Sequence, residues 1–155
     1  MSVPVWRIAA EENTISANDM SGSSAVKSSG RWNSIGTPIV YCSSSIALAT
    51  LESLSHVRFG KYPLNRFLIR VDVPTAIWAK REVLPLPGGW DAVPYGLASR
   101  RSGDAWIGSK RSPLSVVPSA IVPEELNVLI NPLHPDIGAV IATTVRKWIY
   151  DHRFF

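Results

Sequence analysis

The run Gly30-Arg31-Trp32-Asn33 places a guanidinium beside an indole at the end of a polar loop, immediately before an apolar stretch that carries Tyr41. Arg31 offers five donors in a rigid fork, a shape suited to a phosphate or diphosphate, or else to a carboxylate on the protein surface. Trp32 can pack against an aromatic base or anchor the loop in the core. Tyr41, on a strand face, either fills the core or floors a pocket and offers its hydroxyl to a ligand. Glu52 falls at the margin of a helical apolar stripe, where a carboxylate can point into a cleft. Ser119 in VPSAIVP is a close-packing hydroxyl or a site hydrogen-bonder, with no adjacent His or Lys to make it a nucleophile. Asn131 in LINPLHPD suits an Asx-type turn before Pro132 or a pocket amide, and His134 reads as a structural hydrogen-bonder before a general base.

Other chemistries lack their residues. There is no GxGxxG between a strand and a helix, no GxxxxGK[ST], no HExxH and no paired-cysteine spacing, and His56, His134 and His152 are widely separated. No metal site is expected.

The elements that would carry these residues can be read from periodicity. VPVWRIA is a strand, residues 11 to 29 a long polar loop, and TPIVYC a strand at 38 to 42 with Ile39 and Tyr41 on one face. A helix near residues 44–57 follows, capped by Ser43, Ser44 or Ser45, with Ala47, Leu48, Leu51 and Leu54 as its buried stripe. NRFLIRVDVP is a strand, PLPGGWDAVPYG a turn-rich crossing, and Ala98 to Lys110 a short helix interrupted by glycine. Prolines at 113, 118, 123, 132 and 135 cut the remainder into short strands. The expected architecture is α+β, with two small curved sheets or one strongly bent sheet.

The 155 residues suit a single domain, 1–155, able to bury roughly 70% of the surface of its unfolded chain. With 46% hydrophobic and 18% charged residues, intrinsic disorder is excluded. No apolar run reaches the roughly 18 residues of a membrane span, and a lone cysteine cannot form an internal disulfide. A soluble, cytoplasmic protein with a reduced, buried Cys42 is expected. The net charge of +4 is uneven: residues 53 to 111 hold ten Lys and Arg against four Asp and Glu, so the remainder is acidic. That balance suits an anionic partner or an ordinary solubilising surface.

The run GRWNSIGTPIVYCSSSIALATLE, residues 30 to 52, resembles the opening block of the RES-domain family. VPSAIVPEELNVLINPLHPD, residues 117 to 136, is similar to its second block, in the same order, and the likeness runs from VWRIA to YDHRFF. The family comprises toxins of bacterial toxin-antitoxin pairs whose antitoxins carry an Xre-like helix-turn-helix domain. Its defining arginine, glutamate and serine match Arg31, Glu52 and Ser119, while Tyr41 and Asn131 match its GTPxVY aromatic and INP asparagine.

The resemblance implies a compact ADP-ribosyltransferase-like fold with curved mixed or antiparallel sheets, and NAD+ as substrate with no prosthetic group. Arg31, Glu52 and Ser119 would be catalytic, and Arg31, Trp32, Tyr41 and Asn131 would bind the dinucleotide. The implied reaction is cleavage of the nicotinamide-ribose bond, with growth arrest through NAD depletion by hydrolysis or phosphorolysis. The alternatives are a protein ADP-ribosyltransferase, or a basic interaction module without turnover. A cognate Xre-like antitoxin is the implied partner. A homodimer is compatible with the sequence, and neither a membrane nor nucleic acid is expected for the toxin alone.

Overall fold

The computed structural model describes residues 1–57 and 60–155. In chain order its elements are β1 (Ser2–Ala10), α1 (Ser23–Val26), β2 (Val40–Ser43), α2 (Ile46–Leu54), β3 (Arg66–Pro74), α3 (Thr75–Trp78), β4 (Glu82–Val83), α4 (Leu97–Ser109), β5 (Leu114–Pro118), β6 (Leu126–Ile130) and β7 (Ile141–Trp148). The fold is mixed α+β. The strands form one sheet in the order β4-β5-β6-β2-β1-β3-β7, antiparallel except for the β4–β5 pair. No helix among the described residues is long and apolar enough to cross a membrane.

The sheet is continuous but unevenly stitched. β1 and β3 pair along their full length, from Ser2 opposite Pro74 to Ala10 opposite Arg66. β2 pairs with β6 at each of its residues. Between these halves, β1 and β2 share one register pair, Trp6 opposite Ser43. Backbone pairing between the two halves is thus confined to that one position.

Period-two alternation splits the core into two clusters. In β6, Val128 and Ile130 join Val5, Ile69, Val71 and Val73 in one cluster, while Leu129 joins Trp106, Ile107 and Trp32 in the other. β5 and β6 are thus buried on both faces, which is why their sequences are nearly continuous apolar runs. α4 covers the second cluster with Trp106 and Ile107. Its Gly103 permits close contact: a Cβ there would sit 1.8 Å from the Trp32 carbonyl oxygen.

Several sequence expectations are corrected. The helix near 44–57 spans Ile46–Leu54; Ser45 caps it, its Oγ accepting from the Leu48 amide at 3.1 Å. Beyond Leu54 the chain tightens into three-residue turns, His56 N–H to Ser53 and Val57 N–H to Leu54, which end the α-helix. Its buried residues are Leu48 and Ala49, whereas Ala47 and Leu51 are exposed. The helix is rotated from the expected stripe so that Glu52, one turn after Leu48, faces inward with Ser53. The polar segment 11–29 contains the one-turn α1, held by Ala25 and Val26 amides donating to the Gly22 carbonyl. α3 and β4 were invisible to pattern reading because four and two residues are too short to show a period.

Candidate active site

A cavity of about 550 Å³, within the range of small-molecule sites, is bordered by both β1 and β2. Its wall takes Trp6, Arg7 and Ile8 from β1, Tyr41, Cys42 and Ser43 from β2, Glu52 from α2 and Asn127 from β6. Gly30, Arg31 and Trp32 from one loop, and Val93, Pro94 and Tyr95 from another, complete it.

At one end the Glu52 carboxylate is fixed by its neighbours. Its Oε1 accepts from Ser119 Oγ at 2.6 Å and from Asn127 Nδ2 at 2.7 Å. Ser119 is wholly buried, and its Oγ accepts from the Ile121 and Val122 amides, both at 3.1 Å, so its proton is directed to Glu52. Asn127 is oriented in turn, because its Oδ1 accepts from Ser43 Oγ at 2.7 Å and its NH2 must then point to Glu52. Three secondary-structure elements and one tight turn therefore hold one carboxylate oxygen. Sequence reading missed Asn127 and Ser43. The signal was Asn127 standing two residues from Leu129 and opposite Ser43, which requires the β2–β6 register.

At the other end the loop 30–34 is built around Tyr41. Its hydroxyl accepts from the Trp32 amide at 3.0 Å and donates to Asn33 Oδ1 at 2.6 Å. Asn33 is buried and its Nδ2 reaches the carbonyls of Ala25, Ser28, Ser34 and Thr37. A Cβ on Gly30 would lie 2.6 Å from the Tyr41 hydroxyl, so the loop needs glycine there. Asp104 of α4 accepts from the Ser34 amide and hydroxyl at 2.9 and 2.6 Å. Burial pushes the Tyr41 phenol well above its ordinary range, and the Cys42 thiol up to about 12, so both stay neutral.

Arg31 is paired with backbone. Its Nη1 donates to the carbonyls of Trp90 and Ala92 at 2.7 and 2.9 Å, tying the 85–96 loop over the cavity. Trp32 stacks on Trp90 with ring centroids 6.3 Å apart, and Arg31 and Arg100 each lie 5.8 Å from the Tyr95 ring centroid. Buried in the second core cluster, Trp32 serves as the anchor of its loop.

The structure thus gathers Arg31, Trp32, Tyr41 and Glu52 around one cavity, with Ser119 directly behind Glu52. The structure does not bring Asn131, expected to bind the dinucleotide, to the cavity wall. Asn131 is wholly buried outside the cavity wall, with Nδ2 donating to the Ile107 carbonyl and Oδ1 accepting from the Leu133 amide. Its amide closes the turn after β6 and docks α4. His134 is likewise structural, its Nδ1 accepting from the Asp136 amide. Among the described residues no three His, Cys, Asp or Glu side chains gather as a metal site.

The RES domain family matches residues 4–152 of this chain. The chain belongs to the RES domain family. A Prs ADP-ribosylating toxin from Sphingobium sp. (strain YBL2) is 49% identical over 156 aligned residues, which cover 99% of this RES domain chain and 97% of that protein. Toxin Res of Pseudomonas putida (strain KT2440) is 34% identical, covering 97% and 99%. Among solved structures, a chain of the M. tuberculosis MbcT-MbcA toxin-antitoxin complex superposes with a TM-score of 0.58 at 15% identity, over 94% of this chain and 85% of that one. At that identity the likeness is one of fold.

Proposed function

We infer that this RES domain, spanning the whole chain, is the toxin of a toxin-antitoxin pair and cleaves the nicotinamide-ribose bond of NAD+ on an ADP-ribosyltransferase-like scaffold. The observation that carries this reading is the Glu52 carboxylate, locked by Ser119 and Asn127, in a cavity that also holds Arg31. Nicotinamide departs with the electron pair of the broken bond and becomes neutral, which leaves oxocarbenium-like positive charge on the ribose. An immobile carboxylate stabilises that charge and can hold a ribose hydroxyl with Oε2. Ser119 and Asn127 fix the carboxylate and do not attack. Arg31 keeps Nε and Nη2 for the diphosphate while its Nη1 holds the 85–96 loop.

The acceptor attacks C1″ of the nicotinamide-bearing ribose and loses a proton. The Sphingobium relative is named for ADP-ribosylation, which favours a protein acceptor and puts it ahead of the water or phosphate that the sequence alone ranks first. Hydrolysis or phosphorolysis, with depletion of NAD, is the second reading; it is supported by a cavity of small-molecule size. An Xre-like antitoxin that closes this cavity is the proposed partner.

A time course of NAD+ with antitoxin-free protein, with and without phosphate and with and without cell extract, separates these readings. Nicotinamide release that needs extract, with label transferred to one protein band, is expected. Free ADP-ribose or ADP-ribose 1″-phosphate in the absence of extract would establish the second reading. No nicotinamide under any condition, from folded protein, would overturn both.

A further inference from the structure

α2 is anchored unevenly along its length. Its first half carries the Ser45 cap and both of its buried residues, Leu48 and Ala49. From Thr50 to Leu54 every residue is at least partly exposed, and no basic residue stands in the last turn to meet the helix dipole. A helix of nine residues is too short to hold itself in water, so a half that buries little frays unless tertiary contacts tie it down. Glu52 lies in that half. Ser119 and Asn127 grip one oxygen of its carboxylate, and so act on the tip of the side chain and not on the backbone that carries it.

One further bond reaches this half of α2 from far along the chain. Ser53 Oγ and Tyr150 Oη are 2.8 Å apart. The Ser53 proton goes to the Thr50 carbonyl at 2.7 Å, so Ser53 accepts and the phenol donates. Tyr150, just past β7, is 2% exposed, and a buried phenol hydroxyl needs such a partner. Its backbone and ring are held in turn. The Tyr62 hydroxyl donates to the Tyr150 carbonyl, and Trp148 and Phe155 meet the ring edge-on with centroids 6.5 and 6.0 Å away. The phenol is therefore a fixed point, and Ser53, which borders the cavity beside Glu52, is tied to it.

We propose that Tyr150 is a positioning residue for Glu52: its hydroxyl ties down the second half of α2 through Ser53 and so sets where the carboxylate stands in the cavity. The proposal rests on the NAD+ reading for the reaction that Glu52 serves. Tyr150 is not part of the cavity wall, so it acts through α2 and not on a ligand. The bonds that hold Arg31 and its loop do not involve it, and the grip on the diphosphate is independent of it.

The test compares wild type with Tyr150→Phe, which keeps the ring and removes the hydroxyl, with Ser53→Ala, and with the double variant. In Tyr150→Phe, kcat for nicotinamide release should fall about 3- to 10-fold, the factor equivalent to one hydrogen bond, while KM for NAD+ stays within about twofold. The double variant should be no slower than the slower single variant, because both changes remove the same bond. A role in stability alone would lower the melting temperature and leave kcat unchanged well below it. That result overturns the proposal, as do additive losses in the double variant or a loss carried by KM in Tyr150→Phe. Hydrogen exchange gives a readout that needs no turnover: the amides of Glu52 to Ser55 should exchange about 3- to 10-fold faster in Tyr150→Phe, with those of α4 unchanged. A wild type that never cleaves NAD+ sinks the functional reading alone. Exchange then decides: faster exchange at Glu52 to Ser55 upholds the tie that places Glu52, and unchanged exchange overturns it. Should Tyr150→Phe fail to fold, Ser53→Ala is read by the same kcat, KM and exchange measurements.

Discussion

The two ends of the cavity are held by different kinds of bond. At the Glu52 end, side chains from α2, β6 and β2, with Ser119 just past β5, bond to one another in a closed set. At the Arg31 end, the guanidinium bonds to backbone carbonyls of a second loop, and the loop that carries it is folded around Tyr41 and Asn33. Regular elements place a reacting group to within a fraction of an ångström because the sheet register fixes their side chains. A loop held by its own amide contacts follows whatever shifts its anchors. In the proposed reaction the first arrangement suits the group that meets developing charge, and the second suits the group that admits and grips a ligand.

The widest separation of the two ends should come from Glu52→Gln, which preserves shape and removes charge. Nicotinamide release is expected to fall about 10²- to 10³-fold in kcat with little change in KM or melting temperature. Near-normal turnover would break the assignment of the carboxylate end. Gly103→Ala strikes the loop end from behind, since its Cβ would meet the Trp32 carbonyl. Denaturant unfolding should show a loss of about 1–3 kcal/mol, with KM for NAD+ rising because Arg31 moves with Trp32. An unchanged midpoint would mean that α4 does not hold that loop.

Asn127→Ala sharpens the comparison by loosening the carboxylate without touching its charge. A fall of about tenfold in kcat at nearly constant KM is expected. In a double-mutant cycle with Ser119→Ala, the effects should be non-additive because both groups grip one oxygen. Tyr41→Phe removes an acceptor for the Trp32 amide and should cost about 1 kcal/mol in unfolding, with KM moving more than kcat. The remaining effect appears only in alkali. Cys42 is raised from 9.0 to about 12 by burial, so the unfolded chain releases its proton first. Stability should be flat below about pH 9 and decline as pH rises toward 12, and Cys42→Ala should flatten the start of that decline.

Much of the fold was legible wherever a period ran long enough. β1, β3, α2 and α4 were placed to within a few residues because their alternation or helical spacing spans nine residues or more. α3 and β4 were not, and the rotation of α2 was not either. Its stripe was read from apolar residues alone, whereas Leu51 is 39% exposed and Glu52 turns inward to meet Ser119 and Asn127. Asn131 lies away from the cavity wall that its neighbours in the expected set share. An amide next to a proline looks the same in sequence whether it faces a ligand or closes a turn, and only the positions of Ile107 and Leu133 decide.

The sequence by itself determined the α+β class and the family, because local periods and short contiguous blocks carry that information. Tertiary structure decided that Asn127 and Ser43 complete the hold on Glu52 and that Arg31 is tied to the Trp90 and Ala92 carbonyls. It also decided that Trp6, Arg7 and Ile8 of β1 all border the cavity. Each of these depends on contacts between residues far apart in the chain. Such contacts are fixed by strand register and by the single β1–β2 pair, neither of which leaves a local mark.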